Sequence, residues 1–338
     1  MTHLEKYDAA VARYLHRCRG NDLQPATVAN YTRTLGLFRE YLVSRGGPEI
    51  TYDLVEAWRD RLHDAGLAAS TICRYLGDLS IFFTALQKPS YPEAIRYAAN
   101  FVSDDFFPRT VKKPYDMILP DEKVSLLWRN RCPAPGFKAT WPRNYAILVM
   151  LLSEKIRNAE LLDLRLSDLD FENSELVIRS GKGRKYRIVD LEPICASALQ
   201  IYLCSGLRPA YLTDEDYLFG TTAAHEMGAR NDSGVEWHRA TRQWLSDLVE
   251  RTVYAITGVH DVRSHDLRHV GARICLNAGQ SMEMIQADLG HSDLSTTQIY
   301  ADRLMPRRGR ESARAVLSER DRQQKRNVAM LQLRGLAV

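Results

Sequence analysis

Long hydrophobic runs are missing from this chain. No stretch approaches the roughly 18 uninterrupted apolar residues of a membrane span. The opening Met1-Thr2-His3-Leu4-Glu5-Lys6-Tyr7-Asp8 shows no basic-then-apolar leader. Cysteine is sparse: six in 338 residues, at 18, 73, 132, 195, 204 and 275, with no CxxC pair. That scatter speaks against a zinc site or a disulfide framework, and the expectation is a reducing, cytoplasmic setting. Repeats and low-complexity tracts are lacking as well. What remains is ordinary globular composition, 45% hydrophobic and 26% charged, over a length that suits about two domains. A largely disordered chain is excluded.

A strong net charge is absent too, at +4, but the charge is unevenly spread. Residues 1–103 hold 12 Lys/Arg against 11 Asp/Glu, whereas 301–338 hold 10 against 4. A basic tail on a balanced body points to a polyanion or an acidic protein surface as partner, or to a solvated helix face.

The first hundred residues carry only helical periodicity. Apolar stripes predict helices over Thr2–Arg19, Pro25–Ser44, about Asp53–Ala65, and from an N-cap at Ser70 to about 87, with a shorter helix near Pro92–Val102. Pro25 in a first turn, and Gly46-Gly47 followed by Pro48, are start and stop signals. Ser103–Pro120 breaks the period and reads as a linker. The domains expected are therefore 1–103, all helical, and 119–338, joined by 104–118.

The second domain is mixed. Helices are expected near Asp121–Arg129, Arg143–Ser153, Pro193–Cys204, Trp237–Thr257, His265–Ala278, Met282–Leu289 and Ser295–Arg303. Leu176–Arg179 and Tyr186–Val189 flank a Gly181-Lys182-Gly183 turn, a β-hairpin signal. The fold class predicted is mainly α with a small antiparallel β-sheet.

Four polar segments stand out in this domain. They are Arg157-x-x-Glu160, whose spacing shares one helical face, the Lys182 turn, His265-x-x-Arg268, and Gly290-His291 followed by Tyr300. Singly each is weak. H-x-x-R occurs three times, at His16/Arg19, His260/Arg263 and His265/Arg268. An isolated Arg-Glu pair is most often a surface ion pair, and a lysine in a glycine turn is usually turn chemistry. The turn also lacks the G-x-x-x-x-G-K-[ST] of a nucleotide loop.

Their order is what carries weight. R-x-x-E, a hairpin Lys, H-x-x-R, G-H and Tyr, over about residues 120–303, closely resemble the tyrosine recombinase family of phage-type integrases, Xer and Cre-like enzymes. Less specifically, Gln24–Leu42 resembles that family's helical core-binding domain. The resemblance implies a two-domain clamp on duplex DNA, acting through a 3′-phosphotyrosyl intermediate and a Holliday junction, with no metal or cofactor.

It also implies roles. Arg157, Arg268 and His291 would stabilise the phosphorane, Tyr300 would attack and His265 would act as general base. Lys182 would protonate the leaving oxygen, and Glu160 would orient its neighbours. Arg33 and Arg74 are candidate DNA contacts, or simply solvated charges. Partners implied are inverted half-sites, a homotetrameric synapse, and an accessory or directionality protein, in a nucleoid-associated setting without a membrane. A type IB topoisomerase and a non-catalytic DNA-binding relative are the alternatives. The chain departs from the family at Glu154-Lys155-Ile156-Arg157, where Thr-Gly-Leu-Arg is usual. Loss of the glycine is expected to alter the turn presenting Arg157, and Glu154 to add negative charge near the phosphate. In the tail, Val328, Leu331, Leu333 and Leu336 are expected to bury against a partner protomer.

Overall fold

The computed structural model describes residues 1–110, 118–179, 186–222, 237–290 and 308–334, with side chains from 313 onward in the last segment. The chain divides into two compact units, Met1–Lys112 and Lys113–Val338.

The first unit is built from α1 (His3–Gly20), α2 (Pro25–Ser44), α3 (Tyr52–Asp64) and α4 (Ala69–Leu86). Thr2 opens α1 with a capping box to Glu5, and Thr51 caps α3 through Leu54 N–H. Pro25 starts α2 as its spacing predicts, and Gly46 and Gly47 take left-handed φ values of 82° and 70° just after it. Tyr7, Phe38, Trp58, Phe82 and Phe83 fill the core, largely in edge-to-face pairs, and Tyr7 donates its hydroxyl to Leu35 O at 2.9 Å.

Two expectations fail here. No helix spans Pro92–Val102: only Glu93–Ile95 forms a single 3₁₀ turn. The buried residues Ile95, Tyr97 and Val102 do not follow a helical period, and Tyr97 and Phe101 instead lay their rings against Phe83. Ser70 is not the cap of α4, because Ala68 occupies that position and makes no side-chain bond. Phe106 is buried in this unit's core, and Ile118 and Leu119 pack in the second.

The second unit centres on α6 (Trp141–Ser153), a helix buried on nearly every face. Around it lie α5 (Asp121–Leu127), α8 (Pro193–Leu203), α9 (Arg242–Thr257) and α10 (Ser264–Asn277). The strands β1 (Leu169–Asp170), β2 (Glu175–Ile178) and β3 (Arg187–Asp190) form an antiparallel sheet, with Leu176 opposite Val189 and Ile178 opposite Arg187. The hairpin is where its sequence placed it. β4 (Gly220–Thr222) pairs with β5 (Trp237–Arg239). Trp237–Arg239 was expected to begin a helix. It forms a strand, Arg239 bonds Asp163 at 2.5 Å, and the helix starts only at Arg242, capped by the Thr241 hydroxyl.

The C-terminal helix α12 (Arg308–Leu333) lies along α5, α8 and α10 of its own unit. Its inward stripe includes Ala313, Val316, Gln323, Asn327 and Leu331. Asn327 donates to Ser197 Oγ at 3.2 Å, Ser197 donates to Gln324 at 2.8 Å, and Arg320 meets Glu192 at 3.4 Å. Leu331, expected against a partner, is therefore buried in cis, because the stripe runs to the end of a 26-residue helix. Val328 is half-buried, Leu333 is 89% exposed, and Leu336 lies outside the described residues. No helix among the described residues is long and apolar enough to cross a membrane.

α10 and α6 touch backbone to backbone. A Cβ on Gly271 would collide with the carbonyl of Leu152, so only glycine permits the approach. That contact sets α10 beside the turn leaving α6. Gly271→Ala should push the helices apart and destabilise the second unit by about 1–3 kcal/mol. A lowered midpoint in chemical denaturation checks this, and an unchanged midpoint refutes the tight crossing.

Candidate active site

The residues 153–157 leave α6 in a tight turn and enter α7 (Asn158–Asp163). Lys155 sits at φ 53°, the left-handed region where the family's usual glycine is at ease. Lys155 holds this conformation although it carries a β-carbon. Ile156 is fully buried and anchors the turn. Glu154 does not reach the site either: its carboxylate accepts from Glu192 N–H at 3.1 Å in a buried position. Burial there, reinforced by Glu192 against the opposing pull of Lys155, raises its pKa to about 8. It is largely protonated at neutral pH, so the expected negative charge beside the phosphate is corrected.

Arg157 and Glu160 face each other across the first turn of α7. Glu160 accepts from Arg157 N–H at 2.7 Å and from Arg157 Nη1 at 2.8 Å, capping the helix and orienting the guanidinium together. The same carboxylate takes two further bonds from Arg187 on β3, at 2.8 and 2.9 Å. Burial alone would raise the Glu160 pKa, but hydrogen bonds from Arg187 and the Arg157 backbone outweigh it and bring it to about 2. Sequence reading passed over Arg187. Its signal lay in the strand alternation, which puts Arg187 on the half-buried face with Val189 while Ile188 points outward.

α10 supplies the second group. Its start is tied to α7 by Asn158 Nδ2 donating to Ser264 Oγ at 2.7 Å. Arg268 is buried, with its Nη1 donating to Lys155 O at 2.5 Å and its Nη2 to Leu289 O at 2.6 Å. Leu289 closes α11 (Met282–Leu289), and Gly290 ends it at φ 57°. Arg157 Nη2 donates to Gly290 O at 2.8 Å. A Cβ on Gly290 would also press within about 3.0 Å of the Arg187 guanidinium. Glycine is thus favoured twice, by its φ and by the close approach.

His265 stands one turn before Arg268, and its Nε2 lies 3.0 Å from Nε2 of His269, one ring carrying the proton. Partial loss of hydration, then the charges of Arg268 and Arg157 against an opposing Asp266, hold the His265 pKa below its usual value. It is neutral near pH 7, the state a general base needs. Arg157, Glu160, His265 and Arg268 therefore share one site. Lys182, His291 and Tyr300 lie outside the described residues. Arg33 and Arg74 are exposed in the first unit; neither pairs with a carboxylate among the described residues, and Arg74 stacks on Tyr75.

Comparison with known proteins converges on one family. The model described as "Phage integrase family" matches residues 130–307, and that described as "Phage integrase, N-terminal SAM-like domain" matches 11–88. The tyrosine recombinase XerC of Oceanobacillus iheyensis is 31% identical over 306 residues, spanning 89% of this chain and 92% of that protein. XerC of Anoxybacillus flavithermus is 29% identical over 280 residues, spanning 81% and 86%. Two solved structures share the fold. A lambda integrase dimer bound to a COC′ core site gives a TM-score of 0.59 at 17% identity, covering 90% of this chain and 78% of that one. XerH bound to a palindromic difH substrate, a post-cleavage complex, gives 0.59 at 20% identity, covering 86% and 80%.

The fold and these matches define a DNA strand transferase acting on duplex DNA. The chain belongs to the phage integrase family of tyrosine recombinases, and its activity is site-specific DNA recombination.

The Glu160 carboxylate makes acid stability legible. Its pKa falls from an ordinary 4.5 to about 2 on folding, so the stabilisation is complete above pH 4.5 and is lost as pH drops toward 2. The loss amounts to about 3 kcal/mol. Glu160→Gln should therefore flatten the stability profile of the second unit between pH 5 and 2. Parallel profiles for the two proteins would contradict the assignment.

Proposed function

We propose that this recombinase cleaves one strand of its site with Tyr300, leaving a 3′-phosphotyrosyl link and a free 5′-hydroxyl. The observation that carries the reading is the convergence of Arg157 and Arg268. They come from distant parts of the sequence and end on the consecutive carbonyls of Gly290 and Leu289, immediately before His291. A guanidinium is a planar fork of five N–H donors, a shape that suits the non-bridging oxygens of a phosphate. His291 donates to the same phosphate. As charge builds on the phosphorane, these fixed donors stabilise it without reorganising.

The attacking phenol has an ordinary pKa of about 10 and needs a base. His265, held neutral, takes the proton. Lys182 gives one to the departing 5′-oxygen. The bond to the tyrosine oxygen replaces the bond to that oxygen, one ester for another, so the step needs no external energy source. Reversal by the 5′-hydroxyl of another strand completes transfer, and two such rounds pass through a Holliday junction.

The two units would clamp the duplex, with Arg33 and Arg74 as backbone or groove contacts. Domain limits of 1–103 and 119–338, inverted half-sites, a tetrameric synapse, an accessory or directionality protein, and a cytoplasmic, nucleoid-associated setting complete the reading. The XerC relatives and the DNA complexes of lambda integrase and XerH support it.

A nicked half-site duplex, selected by binding from a random-sequence pool, traps the covalent intermediate. Tyr300→Phe should bind it normally and give no covalent band in a denaturing gel. A persisting band would remove Tyr300 as nucleophile. Lys182→Ala should cleave that duplex at least about a hundredfold more slowly. A 5′-phosphorothiolate at the scissile position, whose sulfur leaves without an acid, should restore most of the rate. Absence of rescue would take Lys182 out of the general-acid role.

A further inference from the structure

Three cations converge on three consecutive residues at the end of α11. Lys155 Nζ pairs with the Asp288 carboxylate at 3.2 Å, Arg268 Nη2 donates to Leu289 O at 2.6 Å, and Arg157 Nη2 donates to Gly290 O at 2.8 Å. Two of the three acceptors are main-chain carbonyls at a helix C-terminus, where the macrodipole favours positive charge. The Lys155–Asp288 link joins side chains.

Lys155 also grips Arg268 from the opposite side, since its own carbonyl accepts Nη1 at 2.5 Å. A ring results. Arg268 bridges the carbonyls of 155 and 289, and the Lys155 side chain spans the same gap to residue 288. Whatever sets that gap sets where the Arg268 guanidinium is held.

Packing alone gives no reason for a lysine at this point. A β-carbon at φ 53° costs roughly 1 kcal/mol that glycine would avoid. The side chain is only 5% exposed, and burying an ammonium costs several kcal/mol unless it is well paired. It is well paired: besides Asp288 it donates to Ser153 O at 2.7 Å and lies 4.0 Å from Cys275 Sγ. Desolvation works against its charge, but Cys275, Asp288 and Glu154 together raise its pKa above the usual lysine value. Asp288 is the carboxylate at ion-pair distance from it.

We propose that Lys155 is a positioning residue for strand cleavage: its ion pair with Asp288 fixes the spacing between the 153–157 turn and the end of α11, and so aims Arg268 and Arg157. The assignment rests on the reading of both arginines as phosphate ligands. The same residue thus makes the turn and braces it.

The test is single-turnover cleavage of the nicked half-site duplex at saturating protein, with half-site affinity and thermal midpoint measured alongside. Lys155→Gly relieves the backbone strain, so its thermal midpoint should hold or rise while cleavage slows about tenfold and affinity stays within about twofold. Asp288→Asn should slow cleavage comparably. The double variant should be no slower than Lys155→Gly, because the two residues act as one pair. Arg268→Ala is the control. If Arg268→Ala cleaves normally, the phosphate-ligand reading itself fails. If Arg268→Ala is inactive while Lys155→Gly cleaves at the wild-type rate, the bracing role alone fails. It fails as well if the two losses multiply in the double variant, or if rate and thermal midpoint fall together. Should Lys155→Gly not fold, Asp288→Asn reads the same pair from its more exposed side, and a wild-type rate there overturns the proposal.

Discussion

A guanidinium buried to 1% exposure needs acceptors, and the need at Arg268 organises the second unit. Removing such a charge from water costs several kcal/mol unless each desolvated donor meets an oxygen. Two of those oxygens are main-chain carbonyls. Lys155 O and Leu289 O belong to segments more than 130 residues apart, and both must approach α10 for the guanidinium to be tolerated. The Gly271 contact brings α10 against α6 and so delivers the first; the left-handed end of α11 delivers the second. Backbone dipoles hold the arginine in place from two sides.

Glu160 does the opposite at Arg157. It is a full carboxylate, shared between Arg157 and Arg187 and kept ionised by both. One negative charge answers two positive ones, and Arg268 adds a third. Glu154, which the sequence places close by, is turned away and protonated, and Asp288 is engaged by Lys155. Arg157, Arg187 and Arg268 thus bring three positive charges together around the one Glu160 carboxylate, the arrangement on which the proposed phosphate site rests.

Much of this was legible beforehand because it is periodic. Helical stripes located α1 to α4 and α6, and alternation located the β2–β3 hairpin. The ordered R-x-x-E, H-x-x-R and G-H signals, read through their family resemblance, led to Arg157, Glu160, His265 and Arg268. What escaped had no side-chain signature. Acceptors that are main-chain carbonyls leave no mark on residue type, so the roles of positions 155, 289 and 290 could not be seen. Trp237–Arg239 has the apolar character of a helix start, and only its partner Gly220–Thr222, at the far end of a long connection, decides for strand. Arg187 was passed over, because its pairing with Glu160 depends on how β3 packs against α7. The C-terminal stripe was recognised as something that docks, but its acceptor depends on where α5, α8 and α10 end up.

The same reasoning applies to the turn at 154–157. Where the resemblance leads one to expect Thr-Gly-Leu-Arg this chain has Glu-Lys-Ile-Arg, and what Arg268 meets there is the carbonyl of Lys155, which no side chain supplies. Ile156 keeps the apolar anchor, and Lys155 accepts the left-handed conformation at modest cost. Substitution is restricted where the backbone itself must be approached: at Gly271, where α6 presses on α10, and at Gly290, where Arg187 presses on the end of α11. Between those points Lys155 is held by Asp288 and by Ser153 O, and its own carbonyl receives Arg268.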